Sequence, residues 1–192
     1  MKRSLIFSAI TLLFAATACA QHSPKVEIFA GYSYLDANYK VNTTLGSGSG
    51  GESFNGGSAS GSYNYKPWFG AVADFGGYNL HENYGSETLY TYMFGPKFAL
   101  RQGRVTTYVQ ALVGVGHIST TNNINGTLEP YYSKNGLAAA AGGGMDLRLT
   151  HRLAVRVVQV EYMRVQFSNL NSIVLNLHLN CARFSTGIVF RF

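Results

Sequence analysis

Four acids and five bases recur at alternating positions in this chain: Glu27, Asp74, Asp146 and Glu161, with Lys97, Arg101, Arg148, Arg156 and Arg191. Carboxylates and cations gathered on one side of extended segments do one thing well. They pair, and when enclosed they must pair, because an unpartnered buried charge is costly. Other chemistry is weaker. His81, Glu82, Glu87, His117 and Ser119 could in principle supply an acid, a base and a nucleophile. They are scattered over polar stretches, and no nucleophile, base and orienting group follow from their spacing. Gly46-Ser47-Gly48-Ser49-Gly50-Gly51 satisfies G-x-G-x-x-G formally, but no helix follows to offer its N-terminus to a phosphate. The expectation is no catalytic, cofactor or metal site.

The elements that must position the charges alternate with period two. Eight such segments are present. The first runs from about Lys25 to Leu35 and sets Val26, Ile28, Ala30, Tyr32 and Tyr34 against Glu27, Phe29, Gly31 and Ser33. The second, about Gly57 to Tyr65, sets Ala59, Tyr63 and Tyr65 against four small polar residues. The third (Trp68 to Tyr78) and fourth (Thr88 to Arg101) oppose aromatics to Asp74 and Lys97. The fifth (Arg104 to His117) and sixth (Gly136 to Leu149) oppose Val and Leu to Gln110, Gly144 and Asp146. In the seventh, Leu153 to Gln166, Arg156 falls on even numbering while Gln159 and Glu161 fall on odd. One extra residue at Val157-Val158 restores a common face, so a β-bulge is expected there. The eighth places Phe184, Ile188, Phe190 and Phe192 opposite Arg183, Ser185 and Arg191.

Connections alternate in length. Lys66-Pro67, Gln102-Gly103 and Thr150-His151-Arg152 are short, and long polar stretches fall near 36–56, 79–87, 118–135 and 167–177. Short turns at one rim and long loops at the other suit a barrel that crosses a membrane. The aromatic face then contacts lipid, and Tyr32, Tyr34, Tyr63, Tyr65, Tyr90, Tyr92, Phe190 and Phe192 form girdles. The charged face lines a narrow lumen, where Glu27, Lys97, Arg148, Arg156 and Glu161, joined by Asp74 and Asp146, are expected to form a plug.

Composition agrees. Hydrophobic residues make up 46% of the 192 and charged residues only 12%, about half the usual share. The net charge of +6 is spread singly, which argues against nucleic acid. Lys2-Arg3, an apolar run from Leu5 to Ala16 and Ala18-Cys19-Ala20 have the order of a secretory signal peptide. Cleavage after Ala20 leaves residues 21–192 as one domain; Cys19 loosely resembles a lipidation site.

The segments Val26 to Leu35, Trp68 to Gly76, Gly142 to Leu149 and Val155 to Tyr162, with the ending Gly187-Ile188-Val189-Phe190-Arg191-Phe192, resemble small OmpA-like outer-membrane β-barrels of double-membraned bacteria. The resemblance implies an all-β, eight-stranded antiparallel transmembrane barrel with short periplasmic turns and longer extracellular loops. It implies a monomer in outer-membrane lipid, delivered by periplasmic chaperones and inserted by the outer-membrane assembly machinery. Phe190 and Phe192 would carry the carboxy-terminal insertion signal. A structural or surface role is expected, with a small gated pore or a loop-mediated adhesin as alternatives.

Overall fold

The computed structural model describes residues 24–43, 46–82, 85–124, 127–168 and 174–192; the expected signal peptide lies outside them. Eight antiparallel strands close in sequence order. They are β1 (Val26–Thr43), β2 (Gly46–Lys66), β3 (Phe69–Glu82), β4 (Gly85–Gln102), β5 (Val105–Ile124), β6 (Thr127–Arg148), β7 (Leu153–Ser168) and β8 (Val174–Arg191). Closure joins β8 to β1, with Glu27 opposite Arg191 and Phe29 opposite Val189. The backbone NH of Lys25 donates to the Phe192 carbonyl (2.7 Å), and the Phe192 NH donates to Val26 (2.9 Å). Among the described strands no ladder edge remains open, as a barrel in lipid requires.

The turns at one rim follow their residues. Gly103 has φ +59, a left-handed conformation that glycine adopts without Cβ strain. Thr150 Oγ1 accepts from the backbone NH of Leu153 (3.1 Å) and holds the turn before β7. The expected bulge is present: Arg156 pairs with Gly187, the next β7–β8 pair is Gln159 with Ser185, and Val157 and Val158 both face outward. Arg156, Gln159 and Glu161 therefore share the interior.

The strands differ from the expectation in length. Most of the stretches expected as long loops are continuations of the ladder. Tyr39 pairs with Gly50 and Thr43 with Gly46; Glu82 pairs with Gly85; Asn122 pairs with Glu129. At a rise of about 3.3 Å per residue and a tilt of about 45°, an 18-residue strand such as β1 spans roughly 40 Å of height, against an apolar band of about 25 Å. The excess stands beyond the band at the end opposite the short turns.

Within the band the outward residues are apolar: Ile28, Phe75, Phe94, Val109, Val113, Tyr162 and Ile188 are all exposed. Beyond it the faces exchange roles. Along β1 the outward residues become Asp36, Asn38 and Lys40, and the buried ones become Leu35 and Ala37. The interior of the extension is an apolar core of Leu35, Phe54, Leu89, Ile118, Val165, Phe167, Leu177 and Leu179, among others. This corrects the expectation of a lumen polar throughout. The exchange hides the strands from a search for one continuous apolar face.

Candidate functional site

The charged half of the lumen begins at the short-turn rim. Glu27 on β1 meets three cations from two other strands, Lys97 and Arg101 on β4 and Arg191 on β8. Lys97 Nζ donates to its Oε2 at 2.9 Å, and Arg101 Nη2 and Arg191 Nη2 reach its Oε1 at 3.3 Å each. Ser62 Oγ donates to Oε2 at 3.4 Å. The carboxylate is thus almost wholly surrounded by donors, which offsets the cost of removing it from water.

The next layer is held by the bulge. Arg156 Nε donates to Asp146 Oδ1 at 2.9 Å, and its Nη1 donates to Gln159 Oε1 at 2.5 Å. The guanidinium stacks between two rings, 4.1 Å from the centroid of Phe29 and 4.7 Å from that of Tyr108. Lys97 Nζ also sits over the Tyr108 ring, 4.5 Å from its centroid. The Tyr108 hydroxyl donates to Gln159 Oε1 at 2.8 Å. Cation–π contacts are worth more when desolvated, as these are.

The third layer centres on Arg183, which is fully buried. Its Nε donates to Glu161 Oε2 at 2.7 Å and its Nη2 donates to the same oxygen. Its Nη1 donates to Asp74 Oδ1 at 2.6 Å and to the Tyr78 hydroxyl at 3.1 Å. Glu161 also accepts from Gln110 Nε2 (2.8 Å) and Gln159 Nε2 (2.6 Å), which ties this layer to the one below. Glycine makes room: a Cβ on Gly142 would stand 2.6 Å from Glu161 Cγ. Beside this network Ser33 bonds Ser58 at 2.6 Å and Ser185 at 2.7 Å. Leu35 is the register partner of Arg183, so the apolar core starts where the charges end.

Of the expected plug residues, Glu27, Asp74, Lys97, Arg101, Asp146, Arg156, Glu161 and Arg191 are brought together. Arg148 is the exception. It is half-buried at the short-turn rim, lines the mouth of the lumen and makes no ion pair with a described residue. It is the last residue of β6, opposite Ala154, and so stands at the rim and not in the packed interior. Arg183 is the residue the sequence reading passed over. Its parity with Arg191 on β8 already placed it inward, but nothing local ranks it above its neighbours.

The remaining candidates do not converge. His117 is bonded to Asn135 Oδ1 at 2.6 Å and to Ser133 Oγ at 3.2 Å on the outward side of the extension. Ser119 follows two residues later on the same side, and no carboxylate reaches His117 among the described residues. The side chains of His81 and Glu82 lie outside the described set. Phe190 and Phe192 face outward in the apolar band beside the closing seam.

A family model described as "Outer membrane protein beta-barrel domain" matches residues 8–192. No curated protein sequence matches the chain. Among solved structures it is similar to Neisserial surface protein A, at 14% identity and TM-score 0.57, over 90% of this chain and 100% of that one. It is also similar to Ail, the attachment invasion locus protein of Yersinia pestis, at 17% identity and TM-score 0.52, over 88% and 99%. The outer membrane protease OmpT from Escherichia coli aligns at 7% identity and TM-score 0.53, over 92% and 100%. At these identities the likeness is one of fold. The match along nearly the whole chain, together with the closed eight-stranded barrel and its outward apolar band, means that the chain belongs to the outer membrane protein β-barrel domain family and resides in the bacterial outer membrane.

Proposed function

We propose that this protein is a closed, monomeric outer-membrane barrel whose role lies at the cell surface and not in conduction. The observation that carries this reading is two barriers in series across one lumen: three ion-paired layers from Glu27 to Arg183, then an apolar core from Leu35 to Phe167. A hydrated ion entering the first would have to break pairs that hold each other, and in the second it would cross a stretch lined mainly by apolar side chains. The barrel lies with its short turns in the periplasm and its extension outside the cell. Planar-bilayer recording on refolded protein tests this. The expected record is silent; discrete steps that change with Glu161→Ala would replace the closed barrel with a gated pore.

The polar outside of the extension favours attachment as the form of the surface role. It presents Asp36, Asn38, Lys40, Asn135 and Arg164 to water beyond the apolar band. Cells displaying the protein should attach to host-cell layers more than cells lacking it, and equal attachment would remove this form of the role. Phe190 and Phe192 act as the signal read by the assembly machinery after chaperone delivery. Replacing Phe192 by Ser should slow insertion more than it loosens an inserted barrel; equal losses would reduce Phe192 to a packing group.

A further inference from the structure

The short-turn mouth of the lumen opens into a cavity of about 830 Å³. Its lining includes Lys25, Arg101, Arg148, His151, Arg152 and Arg191. One acidic side chain, Glu27, reaches this group, and its two oxygens are already shared among Lys97, Arg101 and Arg191. Among the described residues Lys25, Arg148 and Arg152 have no acidic partner. Arg101 adds an independent observation. Its side chain is 9% exposed, it donates to the Pro67 carbonyl and to Glu27, and its Nε is a buried donor with no acceptor.

A solvated concavity with two unneutralised guanidinium groups and an ammonium group over a nearly saturated carboxylate has a positive potential that the low-dielectric barrel wall concentrates. Guanidinium groups match the oxygens of phosphate or carboxylate in bidentate fashion. We propose that this mouth is a binding site for a soluble multivalent oxyanion, of the oligophosphate or polycarboxylate class. Arg148 and Arg152 supply the free donors, with Lys25 and Arg191 completing the cationic rim. The cavity lies inside the ring of turns and not on the lipid face, which favours a soluble ligand over a lipid headgroup. A single charge would leave most of the rim unsatisfied, so the ligand carries at least two.

The test uses the whole barrel refolded into nanodiscs of zwitterionic lipid, titrated calorimetrically with tripolyphosphate. One-to-one saturable binding is expected, with orthophosphate much weaker. The double variant Arg148→Gln/Arg152→Gln should weaken it about tenfold or more, since each loses a charge-assisted contact. Neither residue belongs to the ion-paired layers, so the variant keeps its heat-dependent gel shift and a lost signal is not a lost fold. Arg164→Gln, on the outward face of the extension, should bind like the parent. Absence of saturable binding overturns the site, as does equal binding by the parent and the double variant. Loss of tripolyphosphate binding on adding anionic lipid to the disc would overturn the soluble class and assign the rim to headgroups.

Discussion

The two halves of this barrel solve opposite problems with one backbone. In the half next to the short turns, lipid lies outside and no bulk water lies inside. Apolar groups gain nothing by pointing inward there, because the outside is equally apolar. The interior is left to polar groups, which must satisfy one another, and they do so in layers around Glu27, Arg156 and Arg183. In the extension, water lies outside. The hydrophobic effect then operates as in any soluble domain, and Leu35, Phe54, Leu89 and Phe167 turn inward while Asp36, Asn38 and Arg164 turn out. The strand period never changes; only the solvent does. Which face is greasy is therefore a statement about the surroundings and not about the strand.

The largest effect should come from the charged half. Arg183→Met strands Asp74 and Glu161 without their shared cation and should cost about 3–5 kcal/mol in urea unfolding from lipid vesicles. Adding Asp74→Asn and Glu161→Gln should recover much of that loss. A loss below about 1 kcal/mol for Arg183→Met, the range of an exposed pair, would mean that water enters the layer and that the two halves are not distinct in solvent.

Next, Leu89→Ala in the extension should cost about 2–5 kcal/mol, the range for emptying a packed core. Trimming Val109 to Ala on the lipid face should cost far less, because lipid fills the space. Equal costs would erase the contrast between core and lipid contact. The outward faces come third. Phe94 is 66% exposed in the middle of the apolar band, and Phe94→Arg should cost about 2–4 kcal/mol. The smallest effect is expected for Asn38→Arg, outward in the extension, within about 0.5 kcal/mol of zero. If Asn38→Arg matched Phe94→Arg, the extension would have to sit in lipid.

Much of this was legible residue by residue. Alternation placed Glu27, Lys97, Asp146 and Glu161 inside, and the parity slip between Arg156 and Gln159 located the bulge at Val157-Val158. The extension was not legible in the same way. Past Tyr34 the apolar residues move to the other face, and around Gly46 to Gly51 no face carries an apolar pattern. Such a stretch has the composition of a loop although its backbone pairs as a strand. Ladder hydrogen bonds need no particular side chain, so composition underestimates where they continue.

Residue alternation alone shows that strands of period two close into an outer-membrane barrel, and which side chains of the membrane half point inward. Which side chain meets which is a property of the closed barrel. Lys97 reaches Glu27 across 70 positions of chain, and Arg183 reaches Asp74 across 109. Alternation specifies a direction for each side chain but not a height. Heights are set by the stagger of neighbouring strands around the closed ring, a property of all eight together. That stagger makes Arg183 the hub of one layer and leaves Arg148, of the same inward parity, at the open mouth.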